Sequence, residues 1–240
     1  MSDKKYGMLI DLALCIGCNA CAVACRLENE PPRGCFNTWI ESWDARRADG
    51  YVARVNVPKQ CNHCDNPSCV SVCPTGASYK ADDGTVQIDE GRCIGCKYCM
   101  AACPYGARYA IPETGVVGKC TYCAHRTENG LMPACVSTCV TSARLFGDLN
   151  DPESDIAKAI AARGGADVLY PDMGQEPTLC YFDLEKAEAA ERLSAVHKGG
   201  NVLKPYEGRN DWFGTGSSQA TCFWRVWAPA RSPWRRWRRS

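Results

Sequence analysis

The sequence predicts an α+β, loop-rich fold of short helices and two-stranded hairpins gathered around metal. Three observations predict it. First, sixteen of the nineteen cysteines fall into four groups of four: Cys15, Cys18, Cys21 and Cys25; Cys61, Cys64, Cys69 and Cys73; Cys93, Cys96, Cys99 and Cys103; Cys120, Cys123, Cys135 and Cys139. Second, the two central groups repeat one another, and each is followed by a hairpin signal. Third, the usual material of a core is thin, with 5 Phe against 19 Cys. The interior is therefore organised around the cysteines, and metal binding becomes part of the folding free energy.

The elements follow in chain order. Gly7-Met8-Leu9-Ile10-Asp11-Leu12 precedes the first group, which has the spacing C-x2-C-x2-C-x3-C. Group three has the same spacing with Pro104 after its last cysteine, and this is the ligand run of bacterial ferredoxins. The stretch from Glu28 to Gln60 is an insertion, with strands expected at Phe36–Ile40 and Tyr51–Val55. Group two ends Cys73-Pro74-Thr75-Gly76-Ala77 and group three ends Cys103-Pro104-Tyr105-Gly106-Ala107. After the first, Asp82-Asp83-Gly84 separates Ala77-Ser78-Tyr79 from Val86-Gln87-Ile88. After the second, Glu113-Thr114-Gly115 separates Arg108–Ile111 from Val116-Val117. The expected unit is a cysteine loop, a short helix carrying the fourth cysteine, and a two-stranded ribbon. Two such units related by pseudo-symmetry make a bacterial-type ferredoxin-like domain, and four groups make tandem domains. Each group closes with C-x3-C, a spacing that lets the third cysteine hold one cluster while the fourth reaches another. Beyond group four, Asp151–Asp155 opens a helix through Ala162 that Gly164-Gly165 ends. Thr178–Phe182 reads as a strand and Glu185–Val196 as a second helix. The expected organisation is a four-group region over 1–149, a helix–strand–helix segment over 150–198 that packs or binds a partner, and an extended Arg/Trp-rich tail over 199–240.

Sixteen thiols are the ligand count of four [4Fe–4S] clusters. Four thiolates per cluster leave no open coordination position for a substrate, which favours electron transfer over catalysis at iron. No nucleophile–base constellation and no phosphate-binding glycine loop is present. Gly17 and Gly95 sit inside tight cysteine loops, where backbone N–H groups can approach cluster sulfurs. Lys97, Arg26, Arg108 and Lys119 place positive charge near three of the groups. Close to a cluster they would favour its reduced form, and otherwise they are solvated or paired with a neighbouring protein. His63 and His125 lie beside complete sets of four cysteines, so they read as hydrogen-bonding or interface residues. Cys35, Cys180 and Cys222 match no ligand spacing and read as buried or incidental thiols. Disulfides fit poorly with repeated C-x2-C triplets. A zinc-binding interaction module also uses paired C-x2-C elements, although such triplets are rare there. Colour separates the two readings, since a four-cluster protein is brown and a zinc protein colourless.

The formal net charge of +1 gives no field directed at nucleic acid. No apolar run reaches the roughly 20 residues of a membrane-spanning helix. The N-terminal residues carry no signal-peptide hydrophobic stretch and no twin arginine. The expectation is a chain that is cytoplasmic or is carried out by a partner. After Asp211 no acidic residue occurs. Arg225, Arg231, Arg235, Arg236, Arg238 and Arg239 interleave there with Trp224, Trp227, Trp234 and Trp237. That mixture suits a lipid or anionic surface, although Pro229 and Pro233 oppose one continuous helix.

From about Tyr6 to Leu184 the pattern resembles the four-cluster iron–sulfur subunit of molybdopterin oxidoreductases of the dimethyl sulfoxide reductase family. It is most like the polysulfide and thiosulfate reductase type. The resemblance is carried by Gly7–Leu12, by Cys73–Tyr79, by Lys119-Cys120-Thr121-Tyr122-Cys123-Ala124-His125-Arg126 with Pro133-Ala134-Cys135-Val136, and by Phe146-Gly147-Asp148-Leu149. It implies a three-part complex: a molybdenum (or tungsten) bis-pterin catalytic subunit, this chain as the wire, and an integral-membrane subunit that exchanges electrons with quinol. It also implies that group one pairs with four, and two with three, exchanging fourth cysteines. The four clusters would then be Cys15/Cys18/Cys21/Cys139, Cys120/Cys123/Cys135/Cys25, Cys61/Cys64/Cys69/Cys103 and Cys93/Cys96/Cys99/Cys73. Relatives that hold a three-iron centre have tryptophan where this chain has Cys96, so four four-iron centres are expected. Val140 stands where proline is usual after Cys139, which alters local backbone and leaves the ligand in place. The resemblance also implies export beside a partner and a periplasm-facing location. The competing function is a ferredoxin-like carrier or the wire of a formate- or hydrogen-oxidising complex.

Overall fold

The computed structural model describes residues 4–46 and 52–184. The expected helix at 185–196, Cys222 and the Arg/Trp-rich tail lie outside the described residues. In chain order the elements are β1 (Tyr6–Asp11), α1 (Ala20–Asn29), β2 (Thr38–Arg46), β3 (Val52–Gln60), α2 (Ser68–Ser71), β4 (Ser78–Lys80), β5 (Val86–Ile88) and α3 (Tyr98–Ala101). Then come β6 (Arg108–Ala110), β7 (Val117–Lys119), α4 (Ala124–Thr127), α5 (Ala134–Ser137), β8 (Arg144–Asp148), α6 (Asp155–Ala162) and β9 (Leu179–Phe182).

β1 is the centre of a three-stranded sheet, antiparallel to β8 and parallel to β9. Both of its faces are covered, which is why it reads as an unbroken apolar run. Met8 and Ile10 face the main core with Leu12, Val57, Tyr122, Phe146, Leu179 and Tyr181. Leu9 faces the other way, onto Ile156 of α6 and Phe182 of β9. The Ser154 side chain caps α6 by accepting from the Ala157 N–H at 3.2 Å. The pairing of β1 with β8 joins the two ends of the four-group region, across which group one faces group four.

The hairpins fall where expected, with shifted bounds. β2 and β3 pair from Thr38↔Gln60 to Arg46↔Val52, a longer ribbon than the sequence signal suggests. β4–β5 and β6–β7 each pair over three residues. Gly84 and Gly115 take φ values of 80° and 73° in the intervening turns, a region that favours glycine. One expectation needs correction. In groups two, three and four the short helix carries the third cysteine (Cys69, Cys99, Cys135), and the fourth (Cys73, Cys103, Cys139) lies beyond it. In the first group alone, α1 is long enough to carry both Cys21 and Cys25. In the other three groups the chain must leave the helix to start the following strand, so the fourth thiol meets freed backbone N–H groups.

Candidate metal centres

Thiols of different groups gather inside this scaffold, and none of the described cysteines is in a disulfide. The electrostatic neighbours of each thiol show who stands near whom. Cys15 lies near Cys21 and Cys139; burial raises its pKa, and the Gly17 N–H lowers it. Burial, with the nearby thiols of Cys135 and Cys123, pushes Cys25 up to about 12. Burial also raises Cys64, beside Cys61, Cys69 and Cys103. Cys99 is raised by burial and has Cys93 and Cys73 nearby. A cavity is lined by Cys73, Cys93, Cys96 and Cys99 together. In these neighbourhoods thiols of group one stand near thiols of group four and thiols of group two near thiols of group three, while Cys120 of group four also lies near Cys61 of group two.

Two of the fourth cysteines, Cys73 and Cys139, differ from the other thiols, whereas Cys25 and Cys103 are raised by burial. For Cys73 burial works against the thiolate. The Ser78 N–H, which reaches its Sγ at 3.4 Å, and Thr75 outweigh that, so its pKa is lowered. Cys139 is lowered in the same way: Thr141 and the N–H groups of Ala143 and Arg144 overcome burial. A hydroxyl two residues after each cysteine and N–H groups four or five after make a shared cradle for negative sulfur.

The first C-x-x-C loop of each group turns through the left-handed region at its third position. The residues are Gly17 (φ 71°), His63 (φ 44°), Gly95 (φ 67°) and Tyr122 (φ 56°). At Gly17 a Cβ would lie 2.7 Å from the Asn56 side chain, and at Gly95 it would lie 2.7 Å from the Gly115 carbonyl oxygen. At the other two sites the side chains turn inward and stack, His63 on Tyr122 with centroids 3.7 Å apart and an 18° interplanar angle. The Val86 N–H donates to His63 Nδ1 at 3.1 Å. Burial pushes the His63 pKa well down, with Lys119 and Arg108 adding to the effect. His125 Nε2 instead lies within hydrogen-bonding distance of Glu28 Oε1 at 2.8 Å, beside the Arg126–Glu28 ion pair at 2.9 Å, tying α4 to α1. Asn29 of α1 spans the same joint, its amide 3.5 Å from the Sγ of both Cys25 and Cys123.

Of the cations singled out in the sequence, Lys97 is half-buried and lines the cavity of Cys93, Cys96 and Cys99. Arg26 donates to the Cys35 carbonyl at 3.5 Å. Arg108 and Lys119 are not solvated: they are 3% and 4% exposed. Arg108 Nη2 donates to Cys69 Sγ and to Ser78 Oγ, both at 2.9 Å. Lys119 Nζ donates to the carbonyls of Val86 and Cys120. Arg144, which sequence reasoning misses, is equally buried. The signal was present: Arg108 follows Cys103 by the same interval at which Arg144 follows Cys139. Cys35 is buried, and Cys180 is half-buried with its pKa pushed up to about 11 by burial.

The donor set fits iron–sulfur clusters. All four members of each neighbourhood are thiols, soft anionic ligands when deprotonated. Arg108 Nε and Nη1 are buried with no hydrogen-bond partner in the protein, as donors aimed at cluster sulfur would be.

Comparison with known proteins decides the family. Two family models, each described as 4Fe-4S dicluster domain, match over residues 14–77 and 52–149. A tetrathionate reductase subunit of Salmonella typhimurium is 47% identical over 185 residues, 76% of this chain and 74% of that one. The chain belongs to the iron–sulfur subunits of the dimethyl sulfoxide reductase family. The thiosulfate reductase electron transfer subunit of Salmonella typhi is 45% identical over 70% of this chain and 92% of its own length. A putative dimethyl sulfoxide reductase iron-sulfur subunit of Halobacterium salinarum is 40% identical over 84% of this chain and 95% of its own. This subunit family transfers electrons within multi-subunit reductases and does not itself carry the substrate chemistry. No described helix is long and apolar enough to cross a membrane.

Proposed function

We propose that this chain is a four-cluster wire linking a molybdopterin catalytic subunit to an integral-membrane, quinone-reactive subunit. The observation that supports it is that thiols of different groups stand near one another, Cys15 by Cys139, Cys25 by Cys135 and Cys123, Cys64 by Cys103 and Cys99 by Cys73. The ligand sets are Cys15/Cys18/Cys21/Cys139, Cys120/Cys123/Cys135/Cys25, Cys61/Cys64/Cys69/Cys103 and Cys93/Cys96/Cys99/Cys73, each holding a [4Fe–4S] cluster. Bound there, a cluster takes up and gives back one electron at a potential set by net charge, hydrogen bonds and exposure. The chain's own residues do the rest. Thiolates fix each site, and the backbone cradles at Cys73 and Cys139 stabilise negative sulfur. The buried loops of groups two and four exclude water from the two middle sites.

The line runs in the order in which the sets are given. α1 supplies Cys21 to the first and Cys25 to the second, α5 supplies Cys135 to the second, and α2 and α3 supply Cys69 and Cys99 to the third and fourth. The second and third meet where Cys120 lies near Cys61. Residues 1–149 form the four-cluster region, with 150–198 as a packing or partner-binding segment and 199–240 as a tail at a lipid or anionic surface. Lys97, Arg108 and Lys119 tune the clusters. The relatives' names favour a sulfur-compound reductase acting on tetrathionate, thiosulfate or polysulfide. The complex is membrane-associated through its partner and faces the periplasm after co-export.

Anaerobic purification from solubilised native membranes tests this. The expected preparation is brown, with about 16 irons per chain, a molybdenum- or tungsten-containing partner, and quinol-dependent reduction of one of the three sulfur compounds. Iron at that level without molybdenum or tungsten would assign the chain to a free carrier or to a formate- or hydrogen-oxidising complex.

A further inference from the structure

Two arginines are buried among the thiols with no carboxylate among their hydrogen-bond partners. Arg108 donates to Cys69 Sγ and Ser78 Oγ. Arg144 donates to Gln60 Oε1 at 2.8 Å, Thr38 Oγ1 at 3.1 Å and Met8 Sδ at 3.5 Å. Each is 3% exposed. A guanidinium keeps its proton at any ordinary pH, and an uncompensated buried charge is costly. The counter-charge available in both places is sulfur.

Their positions are equivalent. Each follows the last cysteine of its group by five residues and opens the next strand, Arg108 in β6 and Arg144 in β8. The corresponding residue after Cys73 is Ser78, which opens β4 and accepts from Arg108. Each half of the molecule therefore has one such arginine. Each arginine also faces two cysteine neighbourhoods. Arg108 touches Cys69, of one set, and lines the cavity of Cys73, Cys93, Cys96 and Cys99, which form the other. The Arg144 backbone N–H reaches Cys139, of the first set, and its guanidinium, held by Gln60 and Thr38, stands near Cys21 of that set and Cys135 and Cys120 of the second. Lys119 occupies the joint between halves, with Cys61 and Cys69 on one side and Cys120 on the other.

We infer that Arg108 and Arg144 are a symmetric pair of electrostatic bridges, each raising the reduction potentials of both clusters in its own half. This rests on the four-cluster reading above and adds a residue and a division of labour to it. A fixed cation between two sites favours an electron on either one, so neither becomes a trap for the other. In each hop one electron leaves one site and arrives at the next. No bond forms or breaks, and the arginine keeps its proton. Both residues are positioning residues, because they act through the thiolates and sulfides they face.

The test is an EPR-monitored redox titration of the native complex carrying Arg108→Gln, Arg144→Gln, Arg108→Lys or Arg144→Lys. Wild-type iron content and the presence of a molybdenum partner, measured first, test the four-cluster and complex readings separately. With Arg108→Gln, the reduced-to-oxidised ratio at fixed potential should fall at least tenfold for two clusters, equal to 59 mV for a one-electron couple. The other two clusters should change less than threefold. Arg144→Gln should shift the complementary two, and each Lys variant should stay within threefold of wild type. Unshifted potentials, a shift in one cluster only, or an equal shift in all four would overturn the inference. Should a Gln variant lose iron, the Lys variant decides. Full iron with wild-type potentials supports the bridge, and iron loss in both makes that arginine a scaffold residue.

Discussion

The cysteine loops of groups one and three share the backbone turn of groups two and four, but they have the opposite exposure. Cys15-Ile16-Gly17-Cys18 and Cys93-Ile94-Gly95-Cys96 leave Cys18 and Cys96 exposed, with Ile16 and Ile94 63% and 68% exposed beside them. Cys61-Asn62-His63-Cys64 and Cys120-Thr121-Tyr122-Cys123 bury all four of their cysteines. The difference lies in the residue at the left-handed position. Glycine there leaves the turn slim and its thiol open to solvent. His63 and Tyr122 accept the unfavourable φ, and their stacked rings seal the joint between halves. The lesson is that one turn serves as a terminal or a junction according to what fills its third position.

The strongest way to break the comparison is to empty the joint. Tyr122→Ala removes a ring that is 1% exposed and should cost about 3–5 kcal/mol, as large-to-small aromatic truncations do. The expected result is loss of iron from the two middle sites, read as a fall in iron per chain and a lower melting temperature. A stable, fully loaded variant would show that the stack does not seal the joint.

Next comes the rigid terminal turn. Gly95→Ala must place a Cβ 2.7 Å from a backbone oxygen at φ 67°, where neither atom can move away cheaply. The left-handed region alone costs an L-residue about 1–2 kcal/mol. Gly17→Ala meets only the Asn56 side chain, which can rotate, so its loss should be the smaller of the two. Chemical denaturation of the two variants side by side checks that order.

A chelator sharpens the comparison without mutation. Under anaerobic chelation the EPR signals of the two clusters with exposed ligands should fade first, and those of the buried pair last. Simultaneous loss of all four would deny that burial protects the middle.

The smallest effects belong to surface groups. Ile94→Ser should change stability by no more than about 0.5 kcal/mol, yet slow electron delivery in the assembled complex if that face docks a partner. Asp65 is held below the usual carboxylate range: burial opposes its charge, and Lys5 and Lys80 outweigh it. Its contribution is therefore present above the unfolded carboxylate pKa and is lost as pH falls through the lower folded value. Asp65→Asn should flatten that acid limb of the stability curve slightly and leave stability near neutral pH modestly reduced.

The sequence displayed the four groups, the hairpins after groups two and three, α6 and β9, because each is written in local spacing or turn residues. It did not display the parallel pairing of β1 with β9, which is a choice between distant partners that no local signal records. Nor did it display the His63–Tyr122 stack. His63 read as a hydrogen-bonding or interface residue beside a complete ligand set, Tyr122 drew no reading of its own, and their contact depends on two loops meeting across the halves. Arg108 and Lys119 were visible as charges, but their burial was not. Arg144 was hidden by Val140, which breaks the C-P-x-G-A match that would have aligned it with Arg108.

The strand β1, held between β8 and β9, also fixes an order of events. Residues 61–103 sit inside the chain like an inner bracket, and the span from Cys15 to Cys139 is the outer one. Closing the wider loop costs about 1 kcal/mol more in chain entropy than closing the narrower one. It also waits until β8 and then β9 have left the ribosome to flank β1. During synthesis, then, the inner bracket can mature while the outer is still open. A chain arrested after residue 120 should already bind iron in its inner half and none in its outer.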